Sequence, residues 1–204
     1  MSDHYYTADP NAAHDIRLHE VEILSQSMRF YTDSGVFSKS GLDDGSAIFL
    51  RALPALSGRV LDLGCGWGAI GLTLAKVYPE AQFVLADVNE RAVSLCEKNR
   101  LENRITNAQI ITSDGFSKID GEFDFLLTNP PIRAGKSVIY RFFEQGYHRL
   151  RVQGSLCIVI RKQQGAASAQ KFMQSFPGAH VSMLDREKGY WVINCTKGDI
   201  DHDE

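Results

Sequence analysis

The stretch that decides the fold is Val60-Leu61-Asp62-Leu63-Gly64-Cys65-Gly66-Trp67-Gly68. Its first four residues are apolar except for one acid, which is typical of a buried strand in a parallel sheet. The glycines that follow allow the backbone to turn tightly and to approach a ligand closely. A helical pattern then runs to about Tyr78 and is stopped by Pro79. The stretch therefore predicts a strand, a glycine loop and a helix, which form the first unit of an open α/β sheet.

The rest of the chain repeats this alternation of strands and helices. After the first strand (60–63), strands are predicted over residues 83–86, 108–112, 123–128 and 155–160. Helices are predicted over 46–56, from an N-cap at Asn89, and over 138–150 and 166–176. Two further strands, 180–184 and 190–196, are separated by only residues 185–189, which is too short for a parallel crossover. We therefore predict an α/β fold with a mostly parallel seven-stranded sheet that ends in an antiparallel hairpin.

Three parts can be distinguished along the chain. Residues 1–40 form a polar N-terminal extension, and the loose alternation from Ile16 to Tyr31 around Ser25-Gln26-Ser27 predicts a β-hairpin. Residues 41–198 carry the α/β pattern and form the main domain. Residues 199–204 are an acidic tail that we expect to be flexible.

The composition is that of a globular protein with one domain. The chain has 204 residues, of which 44% are hydrophobic and 23% charged. It contains no run of about 20 apolar residues and no signal-peptide pattern, so we predict a cytoplasmic protein that does not bind membranes. Its four cysteines are scattered without a CxxC pair, which predicts reduced thiols and no metal site. The sequence leaves the oligomeric state open and favours a monomer.

Two acids flank the glycine loop and indicate its ligand. Asp62 lies inside the strand before the loop, and Asp87 ends the next strand, where a ribose-binding carboxylate is expected. A carboxylate at Asp62 would repel a pyrophosphate and attract a cation. S-adenosylmethionine (SAM) carries both a sulfonium and an ammonium group, so we predict SAM as the cofactor. A nicotinamide dehydrogenase has a similar outline and is the less favoured alternative.

The segment Asn129-Pro130-Pro131 follows the strand 123–128. The two prolines fix φ and lack N–H donors, so the turn is stiff, and Asn129 is held in an extended conformation because it precedes a proline. The amide oxygen of Asn129 and the carbonyl of Pro130 are therefore presented at the same edge of the sheet as the glycine loop. Two such acceptors suit a planar NH2 group, whose nitrogen they would orient toward a methyl donor.

Taken together, these motifs resemble the class I methyltransferases of the small-domain type, in particular the bacterial 16S rRNA guanine-N2 methyltransferases and the short, single-domain members of Gram-positive bacteria. The resemblance is carried by residues 32–38, 43–46, 61–68, 87–93, 113–114, 129–136 and 188–190, and the most specific string is NPPIRAGK at 129–136. It implies a Rossmann-like class I methyltransferase fold, with residues 41–198 as the methyltransferase domain. It also implies SAM-dependent methylation of an exocyclic amine, guanine N2 in 16S ribosomal RNA.

The resemblance further implies roles for individual residues. Asp62 would contact the methionine part of the cofactor, Asp87 the ribose, Val88 the adenine ring and Asp114 the adenine amine. The full set of expected cofactor-binding residues is Phe37, Asp62, Gly64, Cys65, Gly66, Gly68, Asp87, Val88, Asp114, Gly115 and Asn129. The expected catalytic residues are Asn129, Pro130, Pro131 and Ile132.

The RNA substrate is expected to contact basic residues near these motifs. Arg133, Lys136, Arg161 and Lys162 lie at the ligand side of the predicted sheet and are candidates for phosphate contacts. The predicted partner is ribosomal RNA or the small ribosomal subunit. The net charge of −3 argues against tight binding to naked nucleic acid, and the sequence leaves the choice between free RNA and the assembled subunit open.

Three alternatives remain open at this point. The same Asn-Pro-Pro chemistry serves adenine N6 and the side-chain amide of glutamine, although those enzymes usually have an aromatic residue at the position of Ile132. The third alternative is a non-catalytic RNA-binding protein that retains the fold.

Overall fold

The computed structural model describes residues 15–33 and 42–199. Its strands are β1 (Arg17–Ile23), β2 (Gln26–Thr32), β3 (Arg59–Leu63), β4 (Gln82–Asp87), β5 (Ala108–Thr112), β6 (Phe123–Thr128), β7 (Leu150–Arg161), β8 (Ala179–Glu187) and β9 (Tyr190–Lys197). Its helices are α1 (Asp44–Ala52), α2 (Ala69–Val77), α3 (Glu90–Glu102), α4 (Lys136–His148) and α5 (Ala166–Met173). Short 3-10 turns cover Ile132–Ala134 and Lys162–Gln164.

Seven strands form one sheet in the order β5-β4-β3-β6-β7-β9-β8. The five strands from β5 to β7 are parallel, and β9 runs antiparallel to both β7 and β8. The predicted α/β fold with its antiparallel end is therefore confirmed. The chain enters the sheet at β3, moves outward to β5 and returns to β6 on the other side of β3. Such a reversal of strand order is where open α/β sheets bind their ligands.

The sheet is covered by apolar side chains on both faces. One buried cluster joins α1 and α2 to the sheet through residues such as Phe49, Leu72 and Leu85. The other joins α4 to the opposite face through residues such as Phe143 and Leu126. Burial on both faces explains why the parallel strands read as continuous apolar runs in the sequence.

The N-terminal hairpin of β1 and β2 is attached to α3 by two asparagines one helical turn apart. Asn99 accepts a hydrogen bond from the Tyr31 N–H (2.7 Å) and donates one to the Tyr31 carbonyl (3.0 Å). Asn103 makes the same pair of bonds with Arg29 (2.9 and 2.7 Å). The two amides thus take the place of a neighbouring strand along the edge of β2. Phe30, between them, is buried in the core shared with α2.

The structure shifts several predicted boundaries. The first helix was predicted over 46–56, which was wrong at both ends, because it begins at Asp44 after the N-cap Asp43 and ends at Ala52, just ahead of Pro54. Strand β7 begins at Leu150, earlier than predicted, so the helix before it ends at His148. The separation of an extension at residue 40 remains a prediction.

Trp67, which sits in the glycine loop, is buried against Phe30 with ring centroids 4.9 Å apart, so it belongs to the core. No helix in the described part of the chain is long and apolar enough to cross a membrane. Among residues 15–33 and 42–199, no group of three or more His, Cys, Asp or Glu side chains is placed to hold a metal ion.

Candidate active site

The predicted cofactor and amine motifs meet at the carboxyl edge of the sheet. Strand β3 pairs with β6 in a register that sets Asp62 opposite Leu127. Gly64 and Asn129 each follow directly after the last residue of these two neighbouring strands. The Thr128 hydroxyl donates a hydrogen bond to the Leu63 carbonyl (2.8 Å), which links the ends of β3 and β6 where the two motifs begin.

Asp62 is held inside the protein at the end of β3. It is only 1% exposed, and its carboxylate accepts a hydrogen bond from the Gly71 N–H of α2 (2.9 Å). Burial raises the pKa of Asp62 to about 7, because desolvation disfavours the ionised form more than the Gly71 bond favours it, and the nearby Asp87 carboxylate adds to the rise. A cationic ligand placed beside Asp62 would relieve this cost.

Asp87 joins the glycine loop to the neighbouring strand. One carboxylate oxygen accepts a hydrogen bond from the Gly66 N–H (2.9 Å), and the other accepts one from the Asn89 N–H (2.9 Å). Burial raises the pKa of Asp87, and the backbone hydrogen bonds oppose that rise. Val88 follows this residue and is half-buried. The main-chain amides of Gly64 and Cys65 both donate to the Ala86 carbonyl, so the loop is fixed against β4.

Two of the three loop glycines border open space. Gly64 and Gly66 have φ of 77° and 56°, and a Cβ at either position would meet no atom within 4 Å. Gly68 also has a positive φ, but a Cβ there would lie 2.6 Å from Leu72 and 2.7 Å from the Cys96 sulfur. The first two glycines therefore leave room for a ligand above the loop, whereas the third allows α2 to pack closely.

Other predicted cofactor residues lie around the same edge, with different exposures. Asp114 is exposed after β5. Gly115 is buried, and a Cβ there would lie 2.7 Å from the Phe142 ring, so packing against α4 requires this glycine. The Cys65 side chain is buried in the core, and a hydrogen bond with Cys96 and burial raise the pKa of its thiol. Phe37 lies outside the described residues.

Asn129 is oriented by residues that the sequence did not reveal as part of the site. Its side-chain Nδ2 donates to the Ser46 hydroxyl (3.3 Å). The Ser46 hydroxyl in turn donates to Asp43 (2.7 Å), the residue that caps α1. Residues 43–46 were among the stretches that carried the family resemblance, and an acid three residues ahead of a serine has the spacing of a helix N-cap, but neither signal pointed to Asn129.

The residues after Asn129 form a short 3-10 turn rather than an open loop. Pro130 is buried, and Pro131 caps the turn. Ile132 is half-buried and packs against the core cluster around α4. Part of its side chain therefore remains accessible at the carboxyl edge of the sheet.

The predicted RNA-binding residues are exposed and fall in two places. Arg133 lies in the 3-10 turn, and Lys136 begins α4 with its Nζ 5.0 Å from the Tyr140 ring centroid. Arg161 ends β7 with its guanidinium 4.6 Å from the ring centroid of Tyr190. Lys162 follows it directly. A guanidinium resting on an aromatic ring is held in place yet stays accessible to a phosphate.

Comparison with known proteins agrees with this geometry. Residues 27–194 match the family described as methyltransferase small domain. The chain is a member of that family. It is 42% identical to the uncharacterized protein YbxB of Bacillus subtilis, over 97% of this chain and 100% of that one. It is 34% identical to ribosomal RNA small subunit methyltransferase C of Shewanella amazonensis, over 75% of this chain and 46% of that one.

A solved structure with the same fold is that of a ribosomal RNA methyltransferase. It is the T. thermophilus 16S rRNA N2 G1207 methyltransferase (RsmC) in complex with AdoMet and guanosine. The two structures agree with a TM-score of 0.80 at 27% sequence identity, covering 92% of this chain and 52% of that one. This methyltransferase small domain thus spans about half the length of that enzyme and of its Shewanella relative. The predicted family and Rossmann-like methyltransferase fold are confirmed.

Proposed function

We propose that this methyltransferase uses SAM to methylate guanine N2 in 16S ribosomal RNA. The observation that carries the proposal is the pairing of β3 with β6, which sets the Asp62 loop and Asn129 next to each other at one edge of the sheet. Donor and acceptor must meet within a few ångströms for a methyl group to pass between them. Adjacent strands provide this proximity without any movement of the domain.

The cofactor would lie over the glycine loop, and the residues there fit SAM. Gly64 and Gly66 border space that any other side chain would enter. The Asp62 carboxylate is buried and the Asp87 carboxylate half-buried next to this loop, and burial raises the pKa of both. The positive groups of SAM would offset the Asp62 charge and its ribose hydroxyls would bond to Asp87, whereas a pyrophosphate would be repelled by both carboxylates. When bound, SAM supplies an electrophilic methyl group.

Asn129 and Pro130 would hold the acceptor amine. Their oxygens accept hydrogen bonds from its two N–H groups, which orients the nitrogen lone pair toward the methyl donor. An exocyclic amine attacks in its neutral form, and its extra proton leaves for solvent once the N–C bond has formed. Asn129 and Pro130 are therefore required to position the amine rather than to deprotonate it.

The choice of guanine rests on the relative with the same fold. Ile132 replaces the aromatic residue that the best-known guanine-N2 enzymes, like the adenine-N6 and glutamine-N5 enzymes, have after Asn-Pro-Pro, and it offers a half-buried aliphatic surface for a base face. The related enzyme with the same fold acts on an N2 position and was solved with guanosine. Adenine N6 is the second candidate, because the side-chain oxygen of Asn129 and the carbonyl of Pro130, together called the Asn129 ledge, would accept hydrogen bonds from either amine.

The RNA is proposed to cross the edge formed by Arg133, Lys136, Arg161 and Lys162. Arg161 is the best placed, because β7 neighbours β6 and Ile158 pairs with Thr128, so Arg161 extends beyond the Asn129 ledge. With a net charge of −3, these few cations favour RNA presented on the small ribosomal subunit, in the cytoplasm.

Methyl transfer from labelled SAM tests the proposal directly. Small subunits, protein-free 16S RNA and release factors from cells that lack this protein serve as separate substrates, and the RNA is digested to nucleosides for mass spectrometry. We expect N2-methylguanosine. Appearance of N6-methyladenosine instead would overturn the base assignment, and labelled release factor would point to glutamine. Calorimetry that detects no binding of SAM would favour a non-catalytic RNA-binding protein.

A further inference from the structure

A chain of three polar side chains leads from the start of α1 to the amine-binding ledge. The Asp43 carboxylate accepts from the Ser46 backbone N–H (3.1 Å) and from the Ser46 hydroxyl (2.7 Å). The Ser46 oxygen then accepts from Asn129 Nδ2 (3.3 Å). Ser46 is 4% exposed, so water cannot easily replace either of its partners.

Asp43, the first of these three side chains, fixes which group donates and which accepts in each hydrogen bond. An ionised carboxylate can only accept hydrogen bonds. The single hydroxyl proton of Ser46 is therefore committed to Asp43, which leaves only lone pairs to face Asn129. Only the NH2 end of the Asn129 amide can satisfy those lone pairs, so its carbonyl oxygen must point the other way.

We infer that Asp43 and Ser46 are positioning residues that set which end of the Asn129 amide faces the acceptor amine. The inference rests on the proposed function, in which the Asn129 oxygen accepts from that amine. With the amide turned over, an NH2 group would face the N–H groups of the substrate, and the orienting hydrogen bond would be lost. The helix cap thus acts on the reaction although it touches neither substrate nor cofactor.

Two substitutions perturb the chain in different ways. Ser46→Ala removes the hydroxyl and leaves the Asn129 amide free to adopt either orientation. Asp43→Asn keeps a residue that caps helices as well as aspartate does, with its Oδ1 still facing the Ser46 N–H. Its Nδ2 then replaces the carboxylate oxygen that faced the Ser46 hydroxyl. That NH2 group donates to Ser46, whose proton turns toward Asn129 and selects the wrong amide orientation.

The expected results follow from this difference. Ser46→Ala should lower kcat by about 10-fold and Asp43→Asn by about 100-fold, since misplacing a reacting group costs on the order of 100-fold. The double variant should behave like Ser46→Ala alone, so adding Ser46→Ala to Asp43→Asn restores part of the activity. KM for the subunit and the Kd for SAM should change by less than about 2-fold, because neither residue is proposed to bind them.

A matched control removes another buried hydroxyl. Ser155 is in β7, away from the carboxyl edge, and its hydroxyl bonds to that of Thr196 (3.1 Å). Ser155→Ala should keep kcat within about 2-fold of the wild-type value, because it does not contact the ledge. Losses that add up in the Asp43→Asn, Ser46→Ala double variant would indicate a structural role for both residues and would overturn the inference.

A second measurement does not depend on any RNA. The Asn129 side-chain NH2 signal, identified by its loss in Asn129→Asp, is followed by hydrogen exchange in nuclear magnetic resonance spectra. It should exchange slowly in the wild type and faster in both single variants. Equal exchange in all three proteins would refute the hydrogen-bond chain. If the wild type transfers no methyl group to RNA, the proposed function fails, and this signal still decides the inference.

Discussion

Replacing Asp62 with asparagine should make the protein more stable while depriving it of its cofactor. Asp62 is almost fully buried, and burial raises its pKa from 3.8 to about 7. The folded state therefore binds the Asp62 proton more tightly than the unfolded state does. The contribution of Asp62 to the free energy of unfolding is fully present below its pKa in the unfolded chain, near pH 4. It is lost as the pH rises through the folded-state pKa of about 7.

The size of the effect follows from that difference in pKa. At about 1.36 kcal/mol per pKa unit, the ionised Asp62 costs up to about 4 kcal/mol of the free energy of unfolding above pH 7. Asparagine carries no charge and can still accept the Gly71 hydrogen bond, so Asp62→Asn should recover about 2 to 4 kcal/mol there. For a domain of this size, that corresponds to a rise in Tm of roughly 5 to 10 °C.

The assay is thermal unfolding of the ligand-free protein at pH 4 and at pH 8.5. The gain from Asp62→Asn should be small at pH 4 and full at pH 8.5. Adding SAM should raise the Tm of the wild type but not of the variant, because the ligand's positive charge loses its partner. Asp120→Asn, an exposed site, is the matched control and should change stability by less than about 0.5 kcal/mol. An equal gain at both pH values, or no gain, would refute the reasoning.

Three other predictions address the ledge, the RNA and the core. Asn129→Ala should reduce turnover below detection with SAM affinity nearly unchanged in calorimetry; equal loss of both would mean that the residue shapes the cofactor pocket. Arg161→Ala should weaken RNA binding and lower its salt-dependence slope by about 1, whereas Lys171→Ala on α5 should not, as measured by titration at several salt concentrations. Asp33→Ala should destabilise the protein by about 3 kcal/mol in urea unfolding, because it leaves Arg91 without the carboxylate that lies 2.7 Å away. A loss below 1 kcal/mol would show that this ion pair is dispensable.

The accuracy of the sequence predictions differs between the sheet and the helix ends. The strands at 108–112 and 123–128 were predicted to the residue, because short, mostly apolar segments bounded by polar turn residues indicate strands. The helix at 46–56 was misplaced at both ends, because capping by Asp43 and the proline two residues beyond Ala52 outweigh its apolar pattern. The hydrogen bonds between the hairpin and α3 were not predicted, because nothing in the sequence distinguishes Asn99 and Asn103 from surface residues.

The sequence by itself determined the order of strands and helices, the glycine loop with its two acids, and the Asn-Pro-Pro ledge. Each of these is encoded in a few consecutive residues, through periodicity, backbone freedom or backbone restriction. Only the tertiary structure decided that Ser46, 83 positions before Asn129, would meet its side chain. The physical reason is that packing of α1 on the sheet brings the two together, and no local pattern records which distant partner a buried hydroxyl will find.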